Sequence, residues 1–269
     1  MEKKKVGLVL VAIAVVFYLS GFMIFYFGDV SVSSAVEVIS DFFALVFGKG
    51  ISFNHVLYFT IGLVFITLGL ASLCVAGLHN NDWRIGTFAL IPSLIGLVIF
   101  RFSLVFLFLA LGVILFSIRN VVMSSAIYQE LKKFNNYRVG SNMVGKAFVW
   151  ITLFTSLGLF VTVTSSQIYE DRFQTNFKIL VLNVTRENVM SECLKTASEK
   201  ECQVLVEQID EKTLDIGSLP IMAQIGQFLP LLVVLFFIGF MSILKLFLSI
   251  IAGLTTLFLI KIYGSITTS

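Results

Sequence analysis

The sequence predicts an all-α polytopic integral membrane protein. It has about seven transmembrane helices and a small, disulfide-stapled extracytoplasmic helical hairpin. Three observations carry this expectation. Of 269 residues, 58% are hydrophobic and 13% charged, against about half and a quarter in a soluble domain. Long runs carry no charge at all: 6–28, 56–78, 102–118, 147–169 and 216–244. A hydrocarbon core of about 30 Å takes about 20 helical residues, so each such run reads as a span. Last, Cys193 and Cys202 sit close together in the one long polar segment.

Span 1 runs from Val6 to Phe27, behind Lys3, Lys4 and Lys5. Three lysines before an apolar run resemble a signal peptide. The run is too long for a signal h-region, however, and no A-x-A cleavage site follows. It is expected to stay as a span.

Residues 32–47 are amphipathic. Ser33, Glu37, Asp41 and Ala44 recur at helical spacing, with Val36, Ile39, Phe43 and Val46 on other faces. A short helix lying on the outer membrane surface is expected.

Span 2 is Val56–Leu78. Residues 85–118 form an apolar stretch broken only by Arg101. One straight helix of that length reaches about 51 Å, too long for a bilayer core. Two short spans, Ile85–Phe100 and Phe102–Ile118, fit better, with a re-entrant hairpin as the alternative. Residues 119–135 continue the second of these as helix, and "NNYRVGSN" at 135–142 is a turn by its Asn, Gly and Ser content. Span 5 is Lys146–Ser165. The tail repeats the earlier pattern around Lys245, giving spans Ile221–Leu244 and Leu246–Ile262. These spans divide the chain into a membrane domain at 1–165, an extracytoplasmic domain at 166–218 and a C-terminal membrane hairpin at 219–269.

Charge fixes the orientation. Lys3–Lys5 and the cluster Arg119, Lys132, Lys133, Arg138 and Lys146 fall on one side if the N-terminus is cytoplasmic. The loop at 28–55 and the segment 166–218 fall on the other. The latter carries ten acids against six bases. The expected location is the cell membrane, or another membrane with an oxidising far side. The net charge of +3 and the absence of a basic module exclude a nucleic-acid partner.

Within 166–218, "FKILVLNVT" at 177–185 is β-branched enough to read as one strand. Beyond it the pattern turns helical. Met190, Cys193 and Leu194 share a face, "SEKE" from Ser198 is a capping box with Glu201, and Cys202, Leu205, Val206 and Ile209 follow at helical spacing. A helical hairpin turning near Ala197–Glu199 results. About 50 residues make too small a core to stand alone, so a staple is expected. Cys193 and Cys202, both outside, supply it as a disulfide. Asn183-Val184-Thr185 is an N-x-Thr sequon and the candidate glycosylation site.

Chemistry is sparse inside the spans. No span holds a carboxylate, and His55 and His79 stand at opposite ends of span 2, so they cannot share a metal. No nucleophile elbow, zinc-binding helix or phosphate loop occurs. No cofactor or metal is expected. Arg101 and Lys245 are the two candidates for a solute pathway or a headgroup contact. Small residues paired at helical spacing, including Gly62 with Gly69 and Ser249 with Gly253, favour close helix packing. The leading expectation is a non-enzymatic accessory or scaffold subunit. Its partners are the bilayer and a protein partner or second copy, met through 166–218. The alternative is a small-solute or ion pathway at spans 3–4 and 6–7.

Overall fold

The computed structural model describes residues 2–46, 54–80, 82–131, 134–195, 198–207, 209 and 220–263. Every regular element among them is a helix: α1 (Glu2–Phe27), α2 (Val32–Val46), α3 (Asn54–His79), α4 (Trp83–Thr87), α5 (Leu90–Ile99), α6 (Leu104–Glu130), α7 (Asn135–Thr164), α8 (Gln167–Cys193), α9 (Glu199–Glu207) and α10 (Pro220–Tyr263). Five are long and apolar enough to cross a membrane: Lys5–Phe27 of α1, α3, α6, α7, and Gln227–Tyr263 of α10. This fits a membrane location. The helices fall into two compact units. One holds residues 1–30, 54–162 and 234–269; the other holds 31–53 and 163–233.

In the first unit, α1 and α3 pack antiparallel by fitting aromatic rings over glycines. The Tyr18 ring covers Gly69, the Phe25 ring covers Gly62, and Gly28 abuts Tyr58. Glycine is required here because any Cβ on Gly62 or Gly69 would enter the ring opposite. Helix α1 ends in a Schellman turn. Val30 N–H donates to Phe25 O at 2.9 Å, Asp29 N–H to Tyr26 O at 3.1 Å, and Asp29 takes a φ of 47°. His55 Nδ1 lies 3.0 Å from Gly28 O and so ties the start of α3 to that turn.

Asp82 caps α4 by accepting from Arg84 N–H at 3.0 Å. The chain then breaks at Phe88–Ala89 before α5. Pro92 explains the break: it has no N–H to give to Phe88 O, and its ring crowds that carbonyl. A second Schellman turn ends α5, with Phe102 N–H donating to Leu97 O at 2.8 Å and Arg101 N–H to Val98 O at 3.1 Å. Arg101 and Phe102 have φ values of 50° and 56°, in the left-handed region. The chain reverses here, as the apolar break at Arg101 predicts. Phe100 and Phe106 stack across the turn at 4.4 Å, and Phe22 meets Phe106 edge-on at 5.0 Å.

Helix α7 returns antiparallel to α6. Gly112 faces Ile151, and Val105 faces Gly158. Helix α10 packs on α7 through Gly140 against Thr256 and Gly253 against Tyr137. The segment 135–142, expected to turn, is the first part of α7, and the described part of the reversal lies at Leu131 and Phe134 instead. Asn135 and Asn136 act at this helix start rather than in a loop: Asn135 Nδ2 donates to Tyr128 O at 3.3 Å, and Tyr128 Oη donates to Asn136 Oδ1 at 2.9 Å. Lys132 and Lys133 lie outside the described residues.

The expected count of seven spans is not reproduced. Residues 220–263 form one unbroken helix of 44 residues, so there is no C-terminal hairpin at Lys245. A single cation interrupts hydropathy but not helix propensity, for which Lys ranks among the better residues. Residues 85–100 are not one helix either, because Pro92 divides them into α4 and α5.

The second unit holds α2, α8, α9 and the start of α10. The amphipathic helix expected at 32–47 is α2. Ser31 and Ser34 close its first turn, with Ser31 N–H donating to Ser34 Oγ at 2.8 Å. Helix α2 packs on α8 through Phe43, whose ring meets Phe177 at 5.9 Å and Phe173 at 6.2 Å. Arg172 of α8 reaches Glu37 of α2 at 3.5 Å. The strand expected at 177–185 is a correction: "FKILVLNVT" lies inside α8. β-branched residues disfavour a helix by only a few tenths of a kcal/mol each, and no other strand exists among the described residues for it to pair with. Packing of Phe173 and Leu180, seven residues apart on one helix face, decides for helix.

Candidate functional site

Two features outside ordinary helix packing are chemically distinctive. The first is the hairpin of α8 and α9. Helix α8 ends at Cys193 and α9 begins at Glu199. The expected turn near Ala197–Glu199 falls partly outside the described residues. Ser198 and Glu201 pair as the capping-box pattern expects, through the half in which the Glu201 carboxylate reaches back to Ser198. Ser198 N–H donates to Glu201 Oε2 at 3.1 Å, and Ser198 Oγ donates to the same oxygen at 2.7 Å. These bonds hold the Glu201 carboxyl below the usual carboxylate range.

Cys193 and Cys202 are joined in a disulfide across the turn, with Cα atoms 5.6 Å apart and a sequence separation of 9. Cys202 is fully buried, whereas Val204 and Leu205 on the same helix are 57% and 51% exposed. The expected apolar face of α9 is therefore only partly covered. A second tie closes the hairpin: Arg186 of α8 donates to Ile209 O from Nη2 at 2.9 Å and Nε at 3.2 Å. Asn183 is exposed, in mid-α8, and its partner Thr185 donates its hydroxyl to Val181 O at 2.8 Å.

The second feature is a polar stripe on the buried side of α6. Ser117, Asn120 and Ser124 are all fully buried. They lie at i, i+3 and i+7, hence on one face. Tyr128 continues the line, while Leu115, Val122 and Met123 are exposed. The C-terminal half of α6 is thus polar inward and apolar outward, the reverse of a helix in water. Tyr18 of α1 joins the stripe, its hydroxyl 2.8 Å from Ser117 Oγ. Most buried hydroxyls here simply donate to their own helix. Thr67 donates to Leu63 O at 2.8 Å and Thr152 to Phe148 O at 2.6 Å. The hydroxyls of Ser93, Thr155 and Ser156 have no hydrogen-bond partner, and Asn120 has none at either its amide nitrogen or its oxygen.

No family model, curated protein or solved structure matches this chain.

Arg101 lies exposed in the α5–α6 turn, and Lys245 is half-buried in mid-α10. They belong to separate elements, and nothing brings them to one site. His55 and His79 occupy opposite ends of α3. His79 Nδ1 lies 3.0 Å from Val75 O. No group of three metal-ligating side chains occurs among the described residues. Sequence reasoning missed Asn120 because it looked for charge. The signal was Ser-x-x-Asn-x-x-x-Ser at 117–124, one helical face of polar residues closing an otherwise apolar span.

Proposed function

We propose that the chain is a non-enzymatic, multi-pass membrane protein that serves as an accessory or scaffold subunit and meets a partner through its outer hairpin. One observation carries this reading: the hairpin is stapled by Cys193–Cys202 yet leaves Val204 and Leu205 open on α9. Apolar side chains left open on a disulfide-stapled hairpin are the usual core of a contact surface. The partner is another protein or a second copy of this chain.

The proposed topology has the N-terminus cytoplasmic and the hairpin on the oxidising side, by the charge of the flanking segments. It has six crossings, with both ends of the bundle on one side. The sixth is α4–α5. Gly86 meets Ile118 and Gly96 meets Phe106, so this pair runs antiparallel beside α6 over most of its apolar length. Replacing Val204 and Leu205 together by Asp tests the partner surface. The double variant should stay monodisperse and disulfide-bonded but lose the protein that accompanies the wild type in mild detergent. Retention of that protein would refute the reading.

A second reading is a small-solute or ion pathway. The polar stripe of α6 favours it, rather than Arg101 or Lys245. Flux through reconstituted protein that disappears in Asn120→Leu would support this reading over the first.

A further inference from the structure

The register of three helices converges on Asn120. The α6–α7 pairing of Gly112 with Ile151 and of Val105 with Gly158 brings Met143 level with Asn120. On the other flank, Gly77 of α3 meets Val121 and Ser124, so one turn earlier Cys74 comes level with Asn120. Cys74 and Met143 are themselves in one cluster, with Ile127 packed against it. Ile127 is two turns beyond Asn120 on the same face of α6. Asn120 therefore points into a three-helix junction lined by two sulfur-bearing side chains, both 1% exposed or less.

A buried primary amide with nothing to bond is costly, because it has given up its bonds to water and gained none in return. Its two donors and one acceptor call for a ligand that can both accept and donate. The surroundings of Asn120 set the class of that ligand in three ways. It is uncharged, because these neighbours bring no Lys, Arg, His, Asp or Glu side chain, only the Cys74 thiol and the Tyr18 and Tyr128 phenols, and a bare charge is costly at such depth. It is small, because the junction is packed with buried side chains. It can reach a second polar group, since Ser117 and Ser124 flank Asn120 on the same face. Water meets all three requirements, and buried waters characteristically bridge groups of this kind.

We infer that Asn120 is the seat of an internal water site at the junction of α3, α6 and α7, distinct from the outer hairpin. The water bonds the Asn120 amide and links it to the Tyr18–Ser117 pair, making a polar interlock inside an apolar bundle.

Radiolytic footprinting of the full-length protein in lipid nanodiscs reads this directly. Hydroxyl radicals formed from a bound water oxidise the sulfur beside it, even where bulk solvent cannot reach. Met241, 2% exposed on α10, is the dry control. The wild type should show oxidation of Met143 and Cys74 several-fold above that of Met241. In Asn120→Leu, both should fall to the Met241 level. In Asn120→Ser, which keeps a hydroxyl, labelling should persist in part. A wild type with Met143 and Cys74 no more oxidised than Met241 overturns the site, whatever the variants do. Labelling that is undiminished in Asn120→Leu overturns it too. If Asn120→Leu misfolds, shown by a rise at Met241, the wild-type ratio and Asn120→Ser decide.

Discussion

Gly69→Ala is the perturbation that most sharply tests how α1 and α3 are held together. A Cβ at Gly69 would lie 2.5 Å from Tyr18 Cε1, 2.7 Å from Cδ1 and 3.0 Å from Cζ. Carbon atoms in good contact sit about 3.5–4.0 Å apart, so the ring must retreat by about 1 Å. Tyr18 is fully buried and has nowhere open to go. Overpacking of this kind costs about 1–3 kcal/mol. Moving the ring also strains the 2.8 Å bond to Ser117, and interhelical bonds in membranes average about 0.6 kcal/mol, reaching about 1.7. Alanine returns up to about 1 kcal/mol of helix propensity. The net loss is about 1–3 kcal/mol. The assay is reversible unfolding in mixed micelles of rising SDS fraction, followed by circular dichroism. Gly239→Ala is the control, because nothing lies within 4 Å of its Cβ; it should be neutral or slightly stabilising. Tyr18→Phe should lose only the hydrogen bond, about 0.6 kcal/mol. Gly69→Ala unfolding at the same SDS fraction as Gly239→Ala would refute the ring-over-glycine account.

Three further outcomes follow from local geometry. Arg101→Gly should stabilise the bundle by about 1 kcal/mol in the same assay, because it removes a Cβ from a left-handed residue at a Schellman turn. Reducing Cys193–Cys202 should raise amide exchange across α9 while leaving α1 and α3 protected, the lost stabilisation being about 2–3 kcal/mol for so short a loop. Amide protection of α9 should also fall with acidity. The Glu201 carboxyl is held low in the folded state, so its cap is present above the unfolded carboxylate pKa and is lost as pH drops through the folded value. Glu201→Gln should flatten that dependence.

The long uncharged runs made most of the membrane helices legible, because the bilayer's thickness turns hydropathy directly into length. The reversal at Arg101, the helix at 32–46, the capping box of Ser198 and Glu201 and the Cys193–Cys202 staple were readable for similarly local reasons. The unbroken course of α10 through Lys245 was not. A lone basic residue looks the same in sequence whether it marks a turn or rides a continuous helix, and only packing distinguishes it from Arg101. The strand expected at 177–185 failed because a β-branched run has no fixed structure until its neighbours are known; on α8 its buried Leu180 lines up with Phe173, seven residues earlier, on one helix face. Asn120 was only half legible. The polar face at 117–124 is written in the sequence, but that Asn120 is buried without a partner is something no single sequence displays.

Side-specific labelling tests the proposed topology most directly: six crossings, with Lys200 on one side of the membrane and Lys5 and Lys261 on the other. In a Cys74→Ala background with Cys193–Cys202 intact, single cysteines at Lys5, Lys200 and Lys261 sit at exposed positions. In sealed cells or right-side-out vesicles, an impermeant maleimide should label Lys200→Cys at once, and Lys5→Cys and Lys261→Cys only after permeabilisation. Labelling of Lys261→Cys alongside Lys200→Cys would contradict the account, because the unbroken α10 could not then carry the chain back across the membrane.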